Sequence, residues 1–155
     1  MGGEPTDDGE RQAVWKPGET VCTCFRLRRA TRTVSQIYDR HLAMAGLRST
    51  QFSLLSAIGD LSPRSLGPLA EKLGMDRTTL TRNLRPLERE GLVALGEGED
   101  RRERVAMLTP DGRRRLAAAR PHWRAAQDEL ERILGHETVG QLNTLLEGTS
   151  RRLQS

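Results

Sequence analysis

The most constraining feature of this 155-residue chain is a change of hydrophobic period within one short segment. Leucines recur every three or four residues across 66–73 and 80–87, with Gly74 and Asp76 between the two stretches. After Gly91 the pattern alternates instead, in "LVAL" and "RVAML", on either side of a glycine-rich charged loop. Helical spacing predicts two helices joined by a tight turn, and alternation predicts a hairpin. We therefore expect a helix-turn-helix followed by a β wing.

The ends of these predicted elements have side chains suited to helix termini. Ser65 and Asp76 are the predicted N-caps of the two short helices, and Gly91 is the predicted left-handed C-cap of the second. Another helix is predicted to start with Thr109 as its N-cap and Pro110 at its first position, where a missing N–H costs little. Start and stop signals thus delimit the whole segment.

Longer helical patterns flank the segment on both sides. One runs from about residue 20 to 44 and ends at Gly46, and a shorter one starts near residue 49. The apolar stripe of the first consists of Cys24, Leu27, Thr31, Val34, Tyr38 and His41. Further helices are predicted over about 109–134 and 137–153. The predicted fold is mainly α with a small β wing: a winged helix-turn-helix lobe between long N- and C-terminal helices.

Composition narrows the function classes. No window approaches the roughly 20 apolar residues of a membrane span, and the acidic, polar N-terminus does not resemble a secretory signal. Two cysteines without such a signal predict a reducing, cytoplasmic setting. The chain has no glycine-rich phosphate loop after a strand, no nucleophile elbow and no paired-carboxylate motif, so neither an enzyme nor a cofactor is expected.

The second short helix has a basic face that lacks acidic residues from Arg77 to Leu87. Arginine binds guanine or phosphate through two hydrogen bonds, and threonine contacts phosphates or thymine methyl groups. The predicted DNA-binding residues of this helix are Arg77, Thr78, Thr79, Thr81, Arg82, Asn83 and Arg85. A merely solvated basic face is the alternative interpretation. A winged-helix module that binds protein rather than DNA is the alternative function.

The predicted wing has charged residues at its tip, in "EGEDRRE". Arg101 and Arg102 lie where a thin ribbon can enter the minor groove, whose negative potential attracts arginine. The neighbouring acids Glu97, Glu99, Asp100 and Glu103 would repel phosphates, so at least one of them is expected to pair with an arginine and orient it. Asp100, Arg101 and Arg102 complete the predicted DNA-binding set; a solvated charged turn is the alternative.

Residues 65–113 resemble the DNA-binding lobe of MarR-type winged-helix regulators. The similar stretches are "LAEKLGMDRTTLTRNLRPLEREGLV", then "DRR" in the wing, then "LTPDGR" at the start of the next helix. The resemblance implies a homodimer that places two recognition helices in successive major grooves of a palindromic site, most simply as a repressor. It also implies that Asp100 orients a recognition-helix arginine and that Arg102 reaches the minor groove.

The same resemblance divides the chain into functional parts. Residues 1–18 are a flexible arm, and 19–155 form a single MarR-like domain. Within it, 19–47 and 109–155 are dimerisation helices, and 48–108 are the DNA-binding lobe. Regulators of this type release double-stranded DNA when a small phenolic ligand binds between these parts or when a cysteine is oxidised, so a phenolic or oxidant effector is expected.

The two cysteines, Cys22 and Cys24, permit three interpretations. If both are helical they point about 200° apart, and without ligands at suitable spacing no metal site is expected. Cys24 on the apolar stripe is either core or a redox sensor. The first helix resembles that of organic-peroxide-sensing relatives, which implies a reactive Cys24 near Tyr38. Arg28 replaces their second tyrosine and would favour a thiolate.

Trp123 lies in "RPHWRAAQ" on the helix after the wing. We interpret it as aromatic packing beneath the dimer interface, with a ligand pocket as the alternative.

Overall fold

Six α-helices and three short strands follow one another in the part of the chain that the computed structural model describes, residues 22–59, 64–98, 100 and 103–154. The helices are α1 (Thr23–Leu42), α2 (Ser49–Ile58), α3 (Leu66–Lys72), α4 (Arg77–Arg89), α5 (Pro110–Leu134) and α6 (His136–Gln154). A 3₁₀ turn at Ala43–Ala45 follows α1. The strands are β1 (Arg64–Ser65), β2 (Val93–Glu97) and β3 (Arg104–Leu108). The mainly α fold with a small β wing is confirmed.

Residues 22–33 belong to a separate compact unit, in which residues 23–33 form the start of α1. Phe25 is half-buried there, and the other described residues are exposed. The hydroxyl of Thr33 donates to the Arg29 carbonyl at 3.3 Å, one turn earlier. Cys24, Leu27 and Thr31 of the predicted apolar stripe are exposed in the single chain, so the role of this stripe in a dimer stays a prediction.

Leucines of the second unit, Val34–Ser155, form its core. Leu80, Leu84 and Leu87 of α4 are fully buried, which confirms the inward face predicted for that helix. They belong to one cluster with Leu55 of α2 and Leu116 of α5. Burying a leucine side chain contributes about 1.5–3 kcal/mol, so this face determines how α4 is oriented on its lobe.

The end of α1 has polar contacts in addition to Leu42, its fully buried last residue. His41, which the sequence placed on the apolar stripe, is half-buried and lies 2.7 Å from Glu129 of α5 through Nε2 and Oε2. The Arg40 guanidinium donates to the other Glu129 oxygen at 2.7 Å. The His41 hydrogen bond, followed by the charge of Arg40, lowers the pKa of the Glu129 carboxyl. His41 therefore fits the helical spacing of the predicted stripe, but its contact is a hydrogen bond with Glu129 rather than an apolar one.

The sheet contains one strand more than the sequence indicated. Its order is β1-β3-β2, with β3 antiparallel to both neighbours. β1 is too short to show alternation, and it forms because Arg64 pairs with Ala106 and Ser65 with Val105. Ser65 precedes α3 as predicted, but its side chain does not cap the helix; it donates to a Glu103 oxygen beside β3.

A close backbone contact joins α4, the wing and α5. The Thr109 hydroxyl accepts from Gly112 N at 3.0 Å, which confirms the predicted N-cap. The same hydroxyl donates to the Gly91 carbonyl at 2.6 Å, and Thr109 N donates to the Leu92 carbonyl at 3.1 Å. A Cβ on Gly112 would lie 1.9 Å from the Leu92 oxygen, so this position admits no side chain.

Helix α6 exposes apolar side chains along much of its length. Val139 is buried, whereas Leu145 is 69% exposed and Leu153 82% exposed. None of the helices in the described ranges combines the length and apolar character needed to cross a membrane. The exposed leucines are compatible with a dimer, and the dimer itself stays a prediction.

We expect Gly112→Ala to destabilise the protein by at least about 3 kcal/mol, the upper end of ordinary overpacking costs, because backbone rather than a flexible side chain blocks the new methyl group. Urea unfolding followed by circular dichroism measures the change. Ala117→Ser adds one non-hydrogen atom at an exposed position of the same helix and should change stability by less than about 0.5 kcal/mol. Equal unfolding midpoints for both variants would contradict the close contact.

Candidate nucleic-acid interface

A capping residue sets the start of α4. The Asp76 carboxylate accepts from Thr79 N at 2.8 Å and from the Thr79 hydroxyl at 2.7 Å. These hydrogen bonds, the side-chain one first, lower the pKa of the Asp76 carboxyl. The predicted N-cap is confirmed, and the Thr79 side chain is occupied by the cap. Asp76 therefore points its charge at the helix N-terminus, where the backbone amides need a partner.

The exposed side of α4 is a shallow groove of about 310 Å³. Its lining residues are Arg77, Thr78, Thr81, Arg82 and Arg85. The structure thus brings five of the seven recognition-helix residues predicted from the sequence into one groove without an acidic lining residue. The Thr81 hydroxyl donates to the Arg77 carbonyl at 2.8 Å, one turn earlier in the helix.

Two predicted residues of the helix do not line this groove. Thr79 is half-buried beside Asp76, as described above. Asn83 is half-buried as well, and its amide nitrogen lies 3.7 Å from the sulfur of Met75 in the turn before α4. Pro86 lies inside α4 without ending it, because the helix continues to Arg89.

A second groove, of about 550 Å³, lies between the start of α3, the start of α4 and the wing. Arg77 belongs to this groove too, together with Gly67, Asp100, Glu103 and Arg104. Asp100 is exposed and lies along the same groove as a recognition-helix arginine, as the predicted orienting role requires. Arg101 and Arg102 lie outside the described residues.

Gly67 and Arg104 are among the members of the second groove that the sequence did not assign to the DNA-binding set. Arg104 is the exposed first residue of β3, and a charged residue at the start of a strand has no distinctive pattern. Gly67 is the second residue of α3, and a Cβ there would lie 2.8 Å from Nη2 of Arg77. Only the folded chain brings Gly67 and Arg77 together, because ten positions separate them in the sequence.

A third concave site lies between α2, the end of α3 and α5. This cleft, of about 560 Å³, has Phe52 and Trp123 on its wall, with ring centroids 6.0 Å apart and planes 13° from parallel. Lys72, Arg120 and Arg124 also line it. The interpretation of Trp123 as packing beneath a dimer interface is incomplete, because its ring stacks on Phe52 of its own chain and remains 37% exposed.

The residues of the candidate redox site occupy two separately placed units. Cys22 and Cys24 are free and exposed, and Arg28 is exposed on the same unit. Cys22 precedes α1, so the expected helical separation of the two thiols does not hold. Tyr38 is half-buried in the other unit; its hydroxyl donates to Gln127 at 2.5 Å. Burial first, and then Glu131, raises the pKa of Tyr38.

Known proteins with similar sequences and structures are DNA-binding regulators. The transcriptional regulator MosR of M. tuberculosis, solved in complex with DNA, is 38% identical; the match covers 86% of this chain and 97% of MosR, with a TM-score of 0.78. The transcriptional repressor CouR bound to a 23-mer DNA duplex is 28% identical over 83% of this chain and 92% of CouR, with a TM-score of 0.74. CouR has also been solved bound to p-coumaroyl-CoA, at 27% identity over 84% and 92%, again with a TM-score of 0.74.

A sequence relative points the same way. The HTH-type transcriptional regulator YwoH of Bacillus subtilis (strain 168) is 28% identical over 95 residues, which is 58% of this chain and 66% of YwoH. The sequence profile of the MarR family matches residues 45–103, which include α2 to α4 and β2. With this profile match, and with 38% identity to MosR over nearly its whole length, the chain belongs to the MarR family of transcriptional regulators.

Proposed function

We propose that this protein binds a specific DNA sequence through the groove on α4. The observation that carries the proposal is the acid-free lining of Arg77, Thr78, Thr81, Arg82 and Arg85. Three guanidinium groups and two hydroxyls on one exposed helix face match the phosphates and base edges of a major groove. The DNA complexes of MosR and CouR support this use of the lobe.

The wing completes the proposed interface. Asp100 shares a groove with Arg77, so it is placed to orient that arginine toward DNA. Arg101 and Arg102 follow Asp100 directly in the sequence, and we assign Arg102 to the adjacent minor groove. In this proposal α4 contacts base edges in the major groove, and the wing recognises the shape of the minor groove.

The proposed binding form is a homodimer on a palindromic operator, acting as a repressor. Leu142, Leu145, Leu146 and Leu153 of α6 are all at least 37% exposed in the single chain. Exposed apolar side chains in such a row are typical of an interface between subunits. Two-fold symmetry would then place two α4 helices one DNA turn apart.

We expect Arg82→Ala to weaken binding to a duplex selected from a random pool by the wild-type protein. The expected loss is about 1–3 kcal/mol, with relaxed preference at the base pair that Arg82 contacts. Arg89→Ala removes the same charge from an exposed position of α4 outside the groove and should lose much less affinity. Fluorescence anisotropy over a salt series measures both variants.

Two outcomes would count against DNA reading by α4. One is equal affinity and equal sequence preference for the Arg82 and Arg89 variants. The other is negligible binding of the wild type to every duplex at low salt, where arginine–phosphate contacts are strongest. The second outcome would favour the alternative, a winged-helix module that binds protein.

We further propose that a small aromatic anion binds the cleft between α2 and α5 and releases DNA. The stacked Phe52 and Trp123 offer an apolar wall of the right shape for a planar ring, and Lys72 and Arg124 offer cations for an acidic group. CouR has been solved bound to p-coumaroyl-CoA, whose acyl group contains a phenol ring, and this supports a ligand with an aromatic ring. A coupling of about 1–3 kcal/mol would lower operator affinity roughly 5- to 150-fold.

Isothermal titration with cinnamate, cinnamamide and 3-cyclohexylpropionate tests the effector cleft. We expect cinnamate to bind at least about tenfold more tightly than the neutral amide or the non-aromatic acid, because each of these lacks one of the two recognised features. Lys72→Met and Trp123→Leu should weaken cinnamate, whereas Arg132→Met, outside the cleft on α5, should not. Equal affinities for the three compounds would exclude this cleft as an aromatic-anion site.

The second proposed route of release is oxidation of Cys24. Its thiol is exposed in the single chain, and Arg28 follows it one helical turn later in the sequence. Tyr38 completes the candidate set by resemblance to peroxide-sensing relatives.

Treatment with cumene hydroperoxide tests the thiol. We expect it to release DNA from the wild type and from Cys22→Ser, and to leave Cys24→Ser bound, because the proposal places the sulfenic acid on Cys24. Release from all three proteins, or from none, would remove Cys24 from the mechanism. Loss of release in both single variants would replace the one-thiol sensor by a reaction that needs both cysteines.

A further inference from the structure

We propose that Gly67 is a positioning residue for DNA binding, which acts by leaving room for Arg77 between the recognition helix and the wing. This inference rests on the proposed DNA binding of α4. A Cβ built on Gly67 would lie 2.8 Å from Nη2 of Arg77 and 3.6 Å from both Nε and Cζ. The guanidinium of Arg77 therefore occupies the space that any other residue at position 67 would fill.

The position of that guanidinium is unusual among the α4 arginines. Arg77 lines both the groove on α4 and the second groove beside the wing, whereas Arg82 and Arg85 line only the first. Because Asp100 lies along the second groove, Arg77 connects the base-reading face with the wing. A guanidinium at this boundary can contact the phosphates that separate a major groove from the adjoining minor groove.

The fold holds Gly67 at a set distance from the wing. Ser65, two residues earlier, pairs with Val105 of β3, and its hydroxyl donates to Glu103. Two kinds of contact thus anchor the start of α3 to the wing ribbon. These contacts hold the backbone at Gly67 in place beneath Arg77. A methyl group added at Gly67 would therefore displace the flexible arginine side chain rather than the backbone.

A competing explanation for the glycine is its neighbour, Pro68. A residue before proline resists helical backbone angles, and Gly67 is helical, so glycine relieves that conflict. The two explanations make different predictions once the proline is removed. Pro68→Ala abolishes the backbone conflict and leaves the space beneath Arg77 unchanged.

The test compares Pro68→Ala with Gly67→Ala/Pro68→Ala on the duplex selected by the wild type. We expect the added methyl group to reduce affinity at least about fivefold and to lower the slope of log K against log salt by about one, as the loss of one phosphate contact does. The melting temperature should stay the same or rise by a few degrees, because alanine is the better helix former.

The same substitution in an Arg77→Ala/Pro68→Ala background decides whether Gly67 acts through Arg77. We expect no further loss there, because the displaced group is already absent. An equal loss with and without Arg77 would overturn the inference in favour of direct DNA approach to α3. Unchanged affinity of Gly67→Ala/Pro68→Ala would overturn it too. Failure of the wild type to bind any duplex would instead refute the proposed function.

Discussion

Burial of one leucine face orients everything else on α4. Leu80, Leu84 and Leu87 are fully buried, and a helix with one face fixed in a close-packed core cannot rotate about its axis. The opposite face therefore has to present its arginines and threonines to solvent as one surface. The groove on α4 is thus a product of packing as much as of charge, and loss of a core leucine would disperse it even with every arginine intact.

Charge is distributed differently over the two grooves that meet at Arg77. The groove on α4 has no acidic lining residue, whereas the one beside the wing includes Asp100 and Glu103. Glu103 accepts a hydrogen bond from Ser65, which ties its charge to the start of α3. The acids beside the wing thus lie in the second groove, and the face of α4 keeps a lining without acidic residues.

The sequence predicts this fold well where the pattern is local and poorly where it is tertiary. Helical spacing and caps located α4 and α5 almost to the residue, because Asp76 and Thr109 bond to backbone three positions away. β1 was missed because two residues cannot alternate, and its partner β3 lies some 40 positions later in the sequence. The Gly67–Arg77 contact and the Phe52–Trp123 stack depend likewise on the assembled lobe. For α1, the helical period of the sequence does not indicate whether its apolar stripe packs against a core.

The close approach of Gly112 to the Leu92 carbonyl couples the position of the wing to that of α5. Leu92 directly follows the C-cap glycine of α4 and precedes β2, and its oxygen also accepts from Thr109 N. The Leu92 peptide group thus links α4, β2 and α5, and Gly112 lies too close to it for α5 to slide past. A small tilt of α5 would therefore move the end of α4 and the wing together. A ligand in the proposed cleft beside α5 would therefore act on the end of α4 and on the wing through this one contact.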